Sequence, residues 1–213
     1  MRLGCIHDTP DRIARHAPHV CGAAPMPVVL NRVLPPVGLY RNDVLNDCVV
    51  AAVANSLRTA SMLATGADRA TTEDAVLAAF AGFANVPLAA VGAVPGLTPL
   101  DVLEAILTGG FAAGGPAPES FRTLRALSSR AAIEDAVLHL GSAMCAVDLY
   151  GDDDLMPWID APSGDLIGGH MVLVRRWTTD GPLVATWGAE RAASWEWLMT
   201  RLRAGWGVDW VLG

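Results

Sequence analysis

The sequence predicts an α+β fold in which a helical half is followed by an antiparallel sheet. Three observations carry this. Residues 41–141 hold helix starts and stops, and residues 142–213 hold short apolar runs bounded by turn residues. The two kinds of element do not alternate as a βαβ series would. All seven tryptophans fall in the second stretch, from Trp158 onward.

Residues 1–40 carry six of the 14 prolines (Pro10, Pro18, Pro25, Pro27, Pro35, Pro36) and read as an extended arm wrapped over a domain spanning 41–213. The first helix runs from about Asp47 to Ala64 and ends near Gly66. A second opens at Thr71-Thr72-Glu73-Asp74, where a hydroxyl can cap the first turn, and ends before Pro87. A third opens at Thr98-Pro99, with proline in the first helical position, and closes at Gly109-Gly110. A fourth starts after Ser128-Ser129 and stops at Gly141. Strands follow at Ala143–Tyr150, Gly169–Trp177, Leu183–Trp187 and Trp206–Leu212, with a short helix from Ser194 to about Arg203. The strands at 169–177 and 183–187 should pair as a hairpin.

Composition narrows the function classes. The chain has 213 residues, 52% of them hydrophobic and 17% charged, which suits a folded domain with a sizeable core and excludes general disorder. The net charge of -7, with no Lys/Arg cluster, argues against nucleic acid as a partner. The charge-free stretch Ala75–Leu100 contains Pro87, Pro95 and Pro99, so it reads as helix then loop and no membrane partner is expected. The N-terminus lacks the apolar run of a signal peptide, which points to synthesis in the cytosol. Four cysteines are too few for a disulfide scaffold. Low charge also suits a chain that assembles with copies of itself or with other subunits.

Cys48 sits at the start of the first long helix, where unpaired N–H groups and the helix dipole favour a thiolate. Burial as an inert core thiol is the alternative for that position. His170 begins an apolar strand after Gly168-Gly169, and glycines there admit close approach of another backbone. A cysteine at a helix start with a histidine on a later strand is the order expected of a nucleophile and its general base. Trp187, on the next strand, could cover such a pair or simply fill the core.

Together these residues resemble the papain-like cysteine peptidase superfamily, and within it uncharacterised papain-fold proteins of phages and actinobacteria. The shared pattern is His7-Asp8, Asn42-Asp43 through Asp47-Cys48 with Ala51-Ala52, and Pro99-Leu100-Asp101-Val102-Leu103. Gly169-His170, Thr186-Trp187-Gly188 and a Trp-rich tail from Ser194-Trp195 to Asp209-Trp210 complete it. The resemblance implies a papain-like α+β fold with Cys48 as nucleophile, His170 as base, Asn42 as oxyanion donor and Trp187 as a shielding aromatic. Where such enzymes place an asparagine to orient the histidine, this chain has Ala185, with Thr186 or Asp165 as substitutes. Asp47 occupies a position where those enzymes often have a small residue. It either opposes a thiolate or caps the helix.

The function so implied is a thiol peptidase or amidase acting on a peptide or peptidoglycan-like bond without a cofactor. The alternative is a structural or assembly protein, such as a virion component, that reuses the fold. Cys5, His7, His16, His19 and Cys21 are ligand types suited to zinc, but their spacing fits no zinc motif, and no metal is expected. Asp152-Asp153-Asp154 reads as a solvated loop, His139 as a solvated helix residue and Cys145 as core.

Overall fold

A computed structural model describes residues 3–16, 18, 29–115, 117–151, 153, 158 and 164–212. After a single helical turn, α1 (Pro10–Ile13), comes the long helix α2 (Cys48–Thr65). It is followed by α3 (Glu73–Phe83), a 3₁₀ segment at Leu88–Ala93 and α4 (Pro99–Gly109). The remaining elements are β1 (Ser120–Leu127), α5 (Arg130–Leu140), β2 (Ala143–Tyr150), β3 (Leu166–Trp177), β4 (Pro182–Thr186), β5 (Ala189–Ala192), α6 (Trp195–Arg201) and β6 (Leu202–Val211). The six strands form one sheet, ordered β1-β6-β2-β3-β4-β5, with every neighbouring pair antiparallel.

Local chemistry explains the helix ends. The Thr72 and Ser129 hydroxyls accept the N–H groups of Ala75 and Ala132, satisfying donors that the first turn leaves open. Gly66 and Gly141 close α2 and α5 in the left-handed conformation that glycine adopts without steric cost. By length and composition α2 could cross a bilayer, but 72% of that window is buried within the fold. Its polar residues are satisfied there. Asn55 clamps the backbone of Gly38 through both its N–H and its carbonyl, and Ser56 bonds Ser142 and the indole of Trp210.

Both faces of the sheet are covered, which the period-two alternation along the central strands makes possible. Met144, Ala146, Met171 and Leu173 pack with α2 and α4 in one core. Cys145, Val147, Val172 and Val174 face a second core with α5 and α6. Two strands lay outside the expected set. β1 carries a bulge between Phe121 and Thr123 that breaks its alternation, and β5 (Ala-Glu-Arg-Ala) has no buried residue.

Two further expectations are corrected. Asp153 does not sit in a solvated loop: its carboxylate is 3% exposed and takes hydrogen bonds from Arg201, the Trp197 indole and the Tyr150 N–H. Asp152 and Asp154 lie outside the described residues. The tryptophans are mostly core: Trp158 stacks on Trp197 at 4.3 Å, and all but Trp187 are buried.

Candidate active site

Cys48 is the first residue of α2 and is fully buried. The chain reaches it through a turn in which Tyr40 and Arg41 both take positive φ (52° and 64°), after which the Leu39 carbonyl accepts the Asn42 N–H. The Cys48 sulfur lies against the N–H of Met171, at the peptide linking it to His170, and also against the N–H groups of Gly4 and Val49. Burial pushes its thiol up to about 12; those N–H groups counter part of the rise, while the Asp47 charge adds to it.

His170 is fully buried on β3, opposite Val147 of β2. Its Nε2 lies 2.6 Å from Thr186 Oγ1, and its Nδ1 has no partner. The ring stacks on Trp187 at 4.3 Å with an interplanar angle of 15°. That stack depends on a tight turn. Trp187 and Gly188 link β4 to β5 with φ of 42° and 75°, the two positive values of a hairpin turn whose twist suits the strands. A tryptophan at φ 42° is strained, and its ring is the shield over the histidine. Burial lowers His170 to about 3, with the nearby Arg191 adding to the shift. In this state the pair is therefore a neutral thiol and a neutral imidazole.

The structure thus brings His170, Thr186 and Trp187 together and sets Cys48 against the N–H of the next residue, Met171, with no hydrogen bond between the Cys48 and His170 side chains. Thr186 takes the orienting position beside His170, and Ala185 leaves that role to it. Asp165 does not: it is exposed in the loop before β3, its carbonyl accepts the Gly151 N–H, and four extended residues separate it from His170. Asn42 lies buried in the turn before α2 with its Oδ1 unpartnered. Asp47 does not cap α2. Its carboxyl is turned inward, neither oxygen has a partner, and burial raises it to about 7, with Asp43 and Glu73 raising and Arg41 lowering it.

The N-terminal arm, whose position no local sequence signal gives, fills the space between helices and sheet. Cys5 N–H donates to Gly169 O (3.1 Å), Ile6 N–H to Leu97 O (3.0 Å), and Leu97 N–H to Gly4 O (2.9 Å). Glycine is required at both contact points. A Cβ on Gly4 would stand 2.1 Å from the Asn46 carbonyl oxygen, and one on Gly169 2.3 Å from that of Cys5. Asp8 caps α4 by accepting the Leu100 N–H, and Arg12 reaches Asp101 and Glu104 on that helix. His7 bonds Asp148 and His16 bonds Glu104. Among the described residues no three His, Cys, Asp or Glu side chains are placed to share a metal ion; His19 and Cys21 fall outside them.

Comparison with solved structures now separates the fold from its look-alikes. The chain superposes on xylellain, a cysteine protease from Xylella fastidiosa, with a TM-score of 0.75, over 99% of this chain and 96% of that one, at 14% identity. The fold is papain-like. Digestive procathepsin L 3 from Tenebrio molitor larval midgut matches with a TM-score of 0.65, over 91% of this chain and 73% of that one, at 12% identity. The Carica candamarcensis cysteine protease CMS1MS2 in complex with E-64 matches at 0.60, over 86% and 99%, at 14% identity. No family model and no curated protein matches the chain.

Proposed function

We propose that this chain is a cysteine peptidase or amidase whose nucleophile is covered, in this structure, by its own N-terminal arm. The observation that carries the reading is the Cys48 sulfur beside the His170–Met171 peptide, on a histidine whose Nε2 is taken by Thr186 and whose Nδ1 is open. His170 Nδ1 takes the thiol proton, and the sulfur attacks the substrate carbonyl carbon. The oxyanion is held by the Cys48 N–H and the Asn42 amide. The imidazolium returns the proton to the leaving amine, and water then hydrolyses the thioester. A peptide or a peptidoglycan cross-link carries the required bond.

Ionisation of the pair depends on displacing the arm. Water entering the cleft relieves the desolvation that holds Cys48 near 12 and His170 near 3. Full burial of Cys48 also favours a second reading, an assembly protein that keeps the fold without catalysis.

Intact-mass labelling with a substoichiometric thiol reagent and a papain-directed epoxide separates the two. In the full chain carrying Gly4→Val, which the Asn46 carbonyl excludes from the cleft, Cys48 labelling should rise at least about tenfold over wild type. It should fall back in Gly4→Val/His170→Ala. Slow labelling spread over Cys5, Cys21 and Cys48 alike, unchanged by His170→Ala, supports the assembly role.

A further inference from the structure

The arm leaves a marked vacancy when it moves. Asp148 stands on β2 opposite Gly169, with its side chain 3% exposed. Its Oδ2 is held by Arg203 of β6, whereas its Oδ1 is held, among the described residues, only by His7 Nε2, at 2.6 Å, from the arm. Burial would raise this carboxyl, but the hydrogen bonds from Arg203 and His7 outweigh burial and keep it below its usual value. A cavity of about 670 Å³ opens beside the pair, walled on one side by Pro10 and Ile13 of the arm and on the other by Leu166 and Leu202 of the sheet.

No external chain can reach Cys48 until the arm, and His7 with it, has gone. Arg203 belongs to the sheet and stays. Asp148 Oδ1 is then a buried acceptor with no donor, a state that penalises any replacement unable to supply one. Leu166 and Leu202, which stay with the sheet, suit the methylene stem of a long basic side chain, with its charged end at the carboxylate.

We propose that Asp148 is a specificity residue of the cleft, accepting through Oδ1 a basic side chain (Lys, Arg or His) of the polypeptide that replaces the arm. This rests on the peptidase reading in one respect, that an external polypeptide enters the cleft. The selection it predicts is for chains with a basic residue at one position, over chains with an apolar residue there.

The test uses the full chain with His7→Gly, which frees Oδ1 without touching Cys48 or His170. Imidazole and methylguanidine, at about ten times their Kd, should raise its Tm by about 3 °C. They should leave wild type and His7→Gly/Asp148→Asn unmoved. His7→Ala serves if His7→Gly does not fold. In the Gly4→Val/His7→Gly/Cys48→Ala chain, whose arm is loosened at both anchors, fluorescent octapeptides with one lysine or norleucine walked through an alanine background give the second readout. Lysine should bind at least about tenfold tighter than norleucine at one position, and the preference should vanish with Asp148→Asn. Equal binding at every position, or a Tm shift that survives Asp148→Asn, overturns the proposal. Failure of the peptidase reading shows separately, as unselective thiol labelling.

Discussion

The two sides of the cleft differ in how far their polar groups are paired. On the sheet side, His170 has Thr186 at 2.6 Å and a stacked Trp187, and beneath them Asp153 meets Arg201, Trp197 and Tyr150 with both oxygens used. On the helix side, Asp47 has two buried oxygens and Asn42 one, all without partners. Networks that are fully paired rigidify a structure, and unpaired ones are retained at a cost where some other demand prevails. The sheet side thus rests on a paired network and leaves the outward groups of the stack, His170 Nδ1 and the Trp187 indole N–H, without partners. The helix side keeps its unpaired groups beside Cys48 and is closed over by the arm.

Breaking the paired network should have the largest effect. Asp153→Ala leaves the Arg201 guanidinium, 1% exposed, without its counter-charge and should cost about 3–5 kcal/mol of stability in urea unfolding. A loss under about 1 kcal/mol would mean that the network is not what holds α6 to the sheet. Thr186→Val is isosteric and strips only the partner of His170 Nε2. Leaving that nitrogen buried and unpaired should cost about 1–3 kcal/mol, and Cys48 labelling in the Gly4→Val background should slow.

The contrast is sharpest in pH. His170 is lowered from 6.5 to about 3, so between those values the unfolded chain binds a proton that the folded one refuses, and stability rises with pH. Asp47 is raised from 3.8 to about 7, so there the folded chain keeps a proton that the unfolded one has lost, and stability falls as pH rises. The two oppose each other between about pH 4 and 6.5. Asp47→Asn should unmask His170, giving stability that climbs with pH across that window by up to about 1.4 kcal/mol per unit. An unchanged urea profile would assign Asp47 no part in the balance.

Much of this was legible in the sequence because it rests on local chemistry. Thr72, Pro99 and Ser129 mark helix starts within a residue of where they fall, and Gly66 and Gly141 mark ends. The order of a helix-start cysteine and a strand histidine pointed to the papain-like arrangement. What escaped was non-local. β1 is disguised by its bulge and its arginines, and β5 by the absence of any apolar residue larger than alanine. The arm is seated by backbone hydrogen bonds, which carry no side-chain signature, and by His7, Asp8 and Arg12, whose partners lie far along the chain. Asp47 resembles a cap in sequence, but its carboxyl is drawn inside, and only tertiary packing could reveal that.

The arm is covalently part of the protein whose cleft it fills. A tethered segment competes at an effective concentration in the millimolar range, whatever the dilution of the sample. An arm with a micromolar intrinsic Kd for the cleft would therefore make any competing peptide look roughly a thousandfold weaker on the intact chain. Screens for substrates or inhibitors on the full-length protein will under-read every candidate by about that factor, unless the anchors at Gly4 and His7 are loosened first.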